Sequence, residues 1–197
     1  GDTVGFPTVF VRLTGCPLRC HYCDTAYAFG GGEWMSLDEI VTSVRAQGTR
    51  HVCVTGGEPL AQANCLPLLE QLCDAGLRVS LETSGALPVD QVDARVSRVV
   101  DVKTPDSGEA HRNLLDQLQV LGEGDQVKFV ICSRSDYEWS RQLVRERNLA
   151  DHTMVLFSPS HDQVAARDLA EWILADGLPV RLQVQLHKIL WGNEPGR

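Results

Sequence analysis

Three cysteines lie within the short amino-terminal stretch GCPLRCHYCDT, at Cys16, Cys20 and Cys23. This C-x3-C-x2-C spacing lets one loop turn three thiolates towards a common group. A structural zinc ion normally takes four protein ligands, and the nearest further donor, His21, is cramped within the same loop. A [4Fe–4S] cluster has four irons that each take an external ligand, so three cysteines leave one iron open for a small molecule. The spacing therefore favours a cluster with a reactive position; zinc with a distant fourth ligand and a simple electron-transfer cluster stay open as alternatives.

The elements that position this loop alternate between strand-like and helix-like segments. Short apolar runs rich in Val and Leu predict strands over residues 8–13, 51–55, 78–82, 98–102, 126–131, 153–157 and 180–185. Helical patterns lie between several of them, which predicts right-handed crossovers and an α/β fold. We expect a mostly parallel six- to seven-stranded sheet, open or partly closed into a barrel. No repeat or linker divides the sequence, so residues 1–197 are predicted to form a single domain.

Helix boundaries are also visible in the sequence. Ser36 and Glu39 form a capping-box pattern before one helix, and Ser160 and Gln163 form a second such pattern. Glycines suited to end helices follow at positions 48, 76 and 177. In the last helix the residues predicted to face inward are Ala165, Leu169, Trp172 and Ile173.

Polar and glycine-rich runs follow the predicted strands. They are TGC, TGGEP, ETSG, DVKTP, FSPSH and QLHK. Ligands of α/β proteins bind outside the carboxyl ends of the strands. Each run alone could be ordinary turn chemistry, but their joint placement predicts one ligand site at this end of the sheet.

The composition excludes several classes of function. The chain has 197 residues and a formal net charge of -8, which argues against general nucleic-acid binding, because phosphates need a basic surface. No apolar run approaches the ~18 to 20 residues of a membrane span, and no secretory signal is visible. Seven cysteines are an odd number in a chain of this size, which favours a reducing cytoplasm over a disulfide framework. The remaining four, Cys53, Cys65, Cys73 and Cys132, are predicted to be buried as small hydrophobic residues.

The cysteine stretch resembles the C-x3-C-x-aromatic-C signature of the radical S-adenosylmethionine (SAM) superfamily. The resemblance implies that the amino and carboxylate groups of SAM bind the open iron, and that one electron from the cluster then cleaves SAM to a 5′-deoxyadenosyl radical. Tyr22 matches the position that lies against adenine. The run Gly56-Gly57-Glu58-Pro59 resembles the motif that receives the SAM amino group.

Within that superfamily, the runs PTVFVRLTGCPLRCHYCDT, VTGGEPL, LETSG and VQLHK resemble the 7-carboxy-7-deazaguanine synthase family, from about residue 5 to residue 190. The resemblance implies a shortened radical SAM partial (β/α) barrel and a homodimer. It also implies conversion of 6-carboxy-5,6,7,8-tetrahydropterin to 7-carboxy-7-deazaguanine with loss of ammonia, in queuosine biosynthesis. The implied steps are hydrogen abstraction at C6, ring contraction and return of hydrogen to regenerate SAM. A reducing partner such as flavodoxin or ferredoxin is expected.

Residue roles follow from the same resemblance. It assigns Cys16, Cys20 and Cys23 to the [4Fe–4S] cluster, and Thr25 to Mg²⁺. The residues it places around SAM are Tyr22, Cys23, Asp24, Gly56, Gly57, Glu58, Glu82, Ser84, Asp101, Val102, Lys103, Ser158, Pro159, Ser160 and His161. Those it places around the pterin are Arg12, Thr55 and His187.

Several of these assignments have simple structural alternatives. Arg12 could be a solvent-facing strand residue, Glu82 a buried structural acceptor and His187 a packed carboxyl-terminal histidine. Family members more often show Ser-Pro-Lys where this chain has Asp101-Val102-Lys103. They also commonly show a Gln-Pro pair where it has Ser158-Pro159-Ser160-His161, so side-chain roles transfer less directly at both places.

Both ends of the chain depart from the family pattern. Members usually carry a Gln-Gly-Glu segment just before the position of Gly1, so we expect either that the native chain begins further upstream or that part of the pterin pocket is missing. The chain continues past Lys188 as ILWGNEPGR, and no substrate role is assigned to Arg197. The alternative functions are a glycyl-radical enzyme activase and a non-catalytic iron–sulfur or zinc module.

Overall fold

A seven-stranded parallel sheet organises the chain, whose computed structural model describes residues 1, 3–192 and 194. The strands follow one another in sequence order across the sheet: β1 (Thr8–Leu13), β2 (His51–Gly56), β3 (Arg78–Thr83), β4 (Ser97–Val102), β5 (Gln126–Ile131), β6 (Met154–Pro159) and β7 (Arg181–Leu182). β1 and β7 lie at opposite edges, so the sheet is open, as a partial barrel requires. The predicted fold class is confirmed, and six strand positions agree to within two residues. The seventh is shorter than predicted, because only two residues pair with β6.

Helices and short 3-10 turns connect the strands. The α-helices are α1 (Leu37–Ala46), α2 (Cys65–Asp74), α3 (Arg134–Glu146), α4 (Ala166–Asp176) and α5 (Leu186–Trp191). In the part of the chain that the structure describes, none of these helices has the length and apolar character needed to cross a membrane.

The two faces of the sheet differ in chemistry. On one face, Val54, Leu81, Val100 and Phe129 are fully buried in a core that also takes apolar residues from the helices. Side chains alternate between faces along a strand, so the neighbouring positions point to the other, concave face. That face carries Arg12, Thr55, Glu82, Asp101 and Lys128, all of which line one cavity.

One of the two predicted capping boxes is present. The Ser36 hydroxyl accepts from the Glu39 N–H at 3.3 Å and the Glu39 carboxylate accepts from the Ser36 N–H at 2.7 Å, which starts α1 as predicted. The Ser160–Gln163 box is wrong. The N–H of Gln163 instead donates to the Ser160 carbonyl in a turn, and α4 begins only at Ala166.

The rest of α4 follows the predicted pattern except at its start. Leu169 and Ile173 are buried and Trp172 packs against the core, but Ala165 is exposed. Residues 161–164 form the turn that carries the chain from β6 across the end of the sheet, so the helix starts later and Ala165 falls outside its apolar face. Gly177 ends α4 in the left-handed conformation, with φ of 52°.

Candidate active site

A cavity of about 370 Å³ opens at the carboxyl ends of the strands. This volume lies within the range of small-molecule and cofactor sites. The predicted site residues that line it are Arg12, Cys20, Tyr22, Cys23, Asp24, Thr25, Thr55, Gly56, Gly57, Glu82, Ser84, Asp101, Lys103, Ser160 and His161. The prediction of one shared ligand site at this end of the sheet agrees with this arrangement.

Six predicted site residues do not line the cavity: Cys16, Glu58, Val102, Ser158, Pro159 and His187. Val102 lies in the apolar core, and Ser158 is also buried. Their side chains are therefore not presented to a ligand in the cavity. The roles of all six residues, at the cluster, SAM or the pterin, stay predictions.

The cysteine loop is held by a clamp formed from residues 105–109. The N–H of Arg19 donates to Oε1 of Glu109 at 2.6 Å, and the N–H of His21 donates to the Ser107 carbonyl at 3.0 Å. Gly108 has a φ of 78°, and a Cβ at this position would lie only 2.9 Å from the His21 ring. The clamp therefore needs a glycine at this position and a hydrogen-bonding side chain at the next one.

The first turn of α3 is hydrogen-bonded to this clamp. Asp136 is fully buried, and its two carboxylate oxygens accept from the N–H groups of Asp106 and Cys132 at 3.0 and 3.1 Å. The Ser133 hydroxyl accepts from the Asp136 N–H and caps the helix. The cysteine loop, the clamp and α3 are thus joined through consecutive hydrogen bonds. Asp136 was not predicted to take part, and the Ser-x-x-Asp capping pattern is its only sequence signal.

The two glycines of the GGEP run allow the cysteine loop to pack against the end of β2. The Gly57 N–H donates to the Leu13 carbonyl at 3.0 Å, and the Glu58 N–H donates to the Gly15 carbonyl at 2.8 Å. A Cβ at Gly57 would overlap the Gly15 carbonyl oxygen and approach Cys16 Cβ to 2.9 Å. The sequence resemblance gives this run a role in receiving the SAM amino group. The structure adds that the chain's own cysteine loop occupies this space.

Glu58 joins the ends of two strands. Its carboxylate is completely buried and accepts from the N–H of Leu60, the hydroxyl of Thr83 and the N–H of Ser84, at 3.0, 2.8 and 2.6 Å. Hydrogen bonds of this kind satisfy a buried carboxylate. The Glu58 side chain therefore fixes the end of β3, which carries Thr83 and Ser84 to the cavity.

Two ion pairs form part of the cavity wall. Lys103 Nζ lies 3.0 Å from Asp101 Oδ2, and Lys128 Nζ lies 3.4 Å from Glu82 Oε2. Burial by itself would lower the pKa of Lys103, but the Asp101 carboxylate and Cys20 together outweigh this effect, and the pKa is raised. The Glu82 carboxylate raises the pKa of Lys128. Both lysines are therefore ammonium ions at neutral pH.

The thiols of the loop are partly buried. Burial raises the pKa of Cys20 to about 11, with Lys103 acting in the opposite direction, and burial also raises the pKa of Cys16. These thiols are protonated until an iron ion replaces the proton, as metal binding to cysteine requires. The other four cysteines are buried as predicted, and all seven are free thiols.

Tyr22 places an unsatisfied polar atom beside the cavity. Its hydroxyl is buried and has no hydrogen-bond partner among the described residues, and burial strongly raises its pKa. The ring centroid lies 5.8 Å from Lys103 Nζ. A buried hydroxyl without a partner carries a free-energy cost, which a ligand group in the cavity would remove.

Thr25 and Asp24 follow the cysteines directly. The Thr25 hydroxyl donates to Asp24 Oδ1 at 2.8 Å, and Lys188 Nζ lies 3.9 Å from Asp24 Oδ2. Both Thr25 and Lys188 line the cavity, so the cysteine loop and the carboxyl-terminal helix α5 meet here.

Arg12 and His187 lie at the open side of the sheet. Arg12 donates to the Gly56 carbonyl at 3.4 Å and lines the cavity from β1. His187 is half-buried, and burial lowers its pKa; Asp24 opposes this effect, whereas Lys188 adds to it. His187 is thus near the cavity although its side chain does not line it.

Sequence reasoning did not predict Lys128, Val130, Asp162 and Gln163, which also line the cavity. The signal for Lys128 was its place in QVKFVI. Alternation puts residue 128 on the opposite face from the buried Val127 and Phe129. A charged residue in the middle of an otherwise apolar strand indicates a site on that face.

The residues present fit an iron–sulfur cluster and SAM. Among the described residues, no three His, Cys, Asp or Glu side chains converge closely enough to hold one metal ion. A [4Fe–4S] cluster does not require this, because each of three irons takes one thiolate. The cavity beside the loop has the partnerless Tyr22 hydroxyl in its wall, which offers a polar contact to a cofactor.

Comparison with known proteins gives the same result. Residues 10–101 match the family model of the Radical SAM superfamily. The chain is 44% identical to the 7-carboxy-7-deazaguanine synthase of Chlorobaculum tepidum over 96% of this chain and 88% of the relative. It is 42% identical to that of Koribacter versatilis over 96% of this chain and 91% of the relative.

A solved structure shows the fold at much lower identity. The crystal structure of Streptococcus suis SuiB bound to precursor peptide SuiA superposes with a TM-score of 0.68 and 13% identity. The superposition covers 91% of this chain but 49% of that one, so this chain spans about half of its length. The identity of more than 40% to two relatives over most of both chains carries the family assignment. The chain belongs to the 7-carboxy-7-deazaguanine synthase family of the radical SAM superfamily.

Proposed function

We propose that the chain converts 6-carboxy-5,6,7,8-tetrahydropterin to 7-carboxy-7-deazaguanine and ammonia, with a [4Fe–4S] cluster and SAM. The observation that carries the proposal is the joint lining of one cavity by the cysteine loop and by the strand-end residues Arg12, Thr55 and Glu82. The family assignment supplies the reaction. When bound, the cluster and SAM supply the radical that abstracts hydrogen from C6 of the pterin.

The chain's own residues bind and orient both molecules. Cys16, Cys20 and Cys23 hold the cluster, and the clamp at residues 105–109 fixes their loop. Tyr22 offers a ring face and a hydroxyl to the adenosyl group. The Lys103–Asp101 ion pair lies in the cavity wall. The positive and negative charges of these two side chains therefore offset each other without a ligand.

The pterin carboxylate is expected at Arg12. A guanidinium group binds carboxylates through two N–H donors, and Arg12 lies at the open edge of the sheet where a ligand can enter. We assign Thr25 to a Mg²⁺ ion, which would offset the charge of this carboxylate if bound there. Mg²⁺ keeps several waters and takes substrate oxygens, so one protein ligand is enough.

We also propose a homodimer, a protein electron donor and a cytoplasmic location. A homodimer is supported by apolar side chains exposed on edge strand β1 and on α5, where Phe10 is 60% and Ile189 66% exposed. A protein such as flavodoxin or ferredoxin would supply the electron. We place the protein in the reducing cytoplasm, which its seven free thiols support, and propose that residues 1–197 act as one core domain, since all seven strands share one sheet.

Label transfer tests this function. The chain is reconstituted anaerobically with iron and sulfide, reduced, and given SAM, Mg²⁺ and pterin deuterated at C6. We expect deuterium in 5′-deoxyadenosine or SAM, together with 7-carboxy-7-deazaguanine. Turnover of SAM without label transfer would reject the pterin as substrate and would direct the search to a glycyl-radical protein substrate. Zinc as the only metal bound would reject radical chemistry.

A further inference from the structure

The Arg12 guanidinium group lies against the face of an aromatic ring at the edge of the cavity. Arg12 Cζ is 5.6 Å from the centroid of the Tyr27 ring, which is within the range of cation–π contacts. We infer that Tyr27 is a positioning residue: its ring holds the Arg12 guanidinium group where it can bind the substrate carboxylate, and so favours carboxylated pterins over pterins without that group. The inference rests on the proposed function, because it takes the pterin as the ligand.

Arg12 differs from the lysines that line the same cavity. Lys103, Lys128 and Lys188 are each paired with a carboxylate, at 3.0, 3.4 and 3.9 Å. Arg12 makes no ion pair with the described residues, and its guanidinium group donates only to the Gly56 carbonyl, at 3.4 Å. A guanidinium group has five N–H donors, so most of those of Arg12 are available to a carboxylate that enters the cavity.

The Arg12 side chain needs support because it stands on an edge strand. β1 has a neighbouring strand on one side only, and Arg12 is exposed. An arginine side chain has many rotamers, and ordering it when a ligand binds costs free energy. The hydrogen bond to the Gly56 carbonyl is long and restrains the guanidinium group weakly. A planar ring beside the guanidinium plane reduces the remaining freedom without occupying an N–H donor.

The backbone of Tyr27 is fixed in relation to the cysteine loop. Tyr27 belongs to the single 3-10 turn Ala26–Phe29. The N–H of Ala28 donates to the Thr25 carbonyl at 2.9 Å, and the Ala28 carbonyl accepts from the Gly15 N–H at 2.8 Å. The turn therefore joins the two ends of the cysteine loop, and this holds Tyr27 beside Arg12.

Core packing does not account for an aromatic residue at position 27. Tyr27 is 56% exposed and does not line the cavity, whereas its neighbour Ala28 is buried. The ring therefore does not contact a ligand in the cavity, and more than half of the residue contributes no buried area. The same turn repeats the arrangement, because Arg19 Cζ lies 4.3 Å from the centroid of the Phe29 ring. Both aromatic residues of the turn thus hold an arginine, one at the cavity and one in the cysteine loop.

Ligand affinity tests this role without turnover. Cluster-loaded protein with SAM and a fixed Mg²⁺ concentration is titrated with 6-carboxypterin, the aromatic form of the substrate, and with pterin, which lacks the carboxylate; pterin fluorescence gives both dissociation constants. We expect wild type to prefer 6-carboxypterin. Tyr27→Leu should weaken 6-carboxypterin binding about two- to fivefold, as expected for a cation–π contact at an exposed site, and should leave pterin binding unchanged. Tyr27→Phe keeps the ring face and should bind both ligands as wild type does.

Two further variants separate this role from a general effect. Phe6→Leu removes a ring that is 60% exposed at the opposite end of the sheet, where it stacks on His51, and should change neither dissociation constant. Arg12→Met should abolish the preference for 6-carboxypterin. In the Arg12→Met background, Tyr27→Leu should have no additional effect, because the residue that it positions is absent.

Several results would overturn the inference. Wild-type affinity for 6-carboxypterin in Tyr27→Leu is one, and an equal loss of affinity for both ligands is another. A loss in Tyr27→Phe as large as in Tyr27→Leu, or no preference of wild type for 6-carboxypterin, would also contradict it. Wild type that binds neither ligand would instead reject the proposed function. Iron content and melting temperature identify a misfolded Tyr27→Leu, in which case Tyr27→Met, which also lacks the ring face, decides.

Discussion

The backbone N–H of Arg19, in the middle of the cysteine loop, donates to Oε1 of Glu109 at 2.6 Å. This hydrogen bond joins the loop to a segment 90 residues away in the sequence. The loop is otherwise irregular, so few backbone hydrogen bonds of its own determine its shape. Glu109 therefore helps to decide whether the three thiols are ready to bind a cluster.

Replacement of Glu109 should weaken cluster retention. Glu109→Ala removes the acceptor, and we expect faster loss of iron than in wild type when reconstituted protein is exposed to a chelator. Glu109→Gln keeps an Oε1 acceptor and should lose iron at nearly the wild-type rate. The exposed Glu123, changed to Ala, serves as the control for loss of one negative charge. Equal iron loss from Glu109→Ala and Glu123→Ala would contradict this role.

Replacement of Asp136 should lower the free energy of unfolding. In Asp136→Asn the new amide N–H₂ faces a backbone N–H donor, which leaves one buried donor unsatisfied and costs about 1–3 kcal/mol in the free energy of unfolding. Urea denaturation measures this loss. The exposed Asp106→Asn changes the same charge without touching a buried acceptor and should cost much less. A similar loss in the two variants would show that charge, and not the buried hydrogen bonds, is important.

Gly57→Ala tests whether the GGEP run packs against the cysteine loop. The new Cβ would overlap the Gly15 carbonyl, so either the loop or the end of β2 must move. We expect a lower melting temperature and weaker SAM binding. Gly124→Ala is the matched control, because a Cβ there meets nothing within 4 Å and its φ is not in the left-handed region. Wild-type SAM affinity in Gly57→Ala would show that the loop adapts at no cost to the site.

Much of the fold and part of the site follow from local sequence patterns. Alternation in strands such as QVKFVI fixes which side chains face the core, and the Ser36–Glu39 spacing fixes the start of α1. The capping pattern at Ser160 failed because the chain needed a turn of four residues to cross the end of the sheet. A local sequence pattern shows which structures a segment can form. The connection between neighbouring elements then determines which of these structures forms.

The residues that sequence reasoning missed act across long distances in the chain. Lys128 meets Glu82 only because β3 and β5 both pair with β4. Asp136 supports the clamp from 30 residues away. Neither contact can be predicted from the spacing of residues in the sequence, because both contacts depend on how distant elements are arranged in the fold. Glu58 makes a further long-range contact of this kind: its motif predicts contact with SAM, and the structure adds hydrogen bonds from Thr83 and Ser84 to its carboxylate.

Asp125 should give the fold a dependence on acid. It is buried, which would raise its pKa, but hydrogen bonds from Arg98 and from the Gly122 N–H outweigh burial and hold the pKa below its ordinary value. A carboxylate with a lowered folded-state pKa stabilises the protein above its unfolded-state pKa of about 3.9. This stabilisation is lost as the pH falls through the folded-state value. The free energy of unfolding of wild type should therefore fall more steeply below about pH 4 than that of Asp125→Asn, measured by urea denaturation; equal slopes would contradict it.

Thr25 should determine the response of the enzyme to Mg²⁺. Its hydroxyl lines the cavity beside Asp24, and we expect Thr25→Val, which keeps the shape but removes the oxygen, to lose most stimulation of product formation by Mg²⁺. Thr25→Ser keeps the oxygen and should retain a Mg²⁺ response, with a higher concentration needed because serine holds its hydroxyl less rigidly. Since SAM is assigned to other residues, SAM affinity should change little in either variant. An unchanged Mg²⁺ response in Thr25→Val would move the ion away from Thr25, and an equal loss of SAM affinity in both variants would show that the cysteine loop itself had been disturbed.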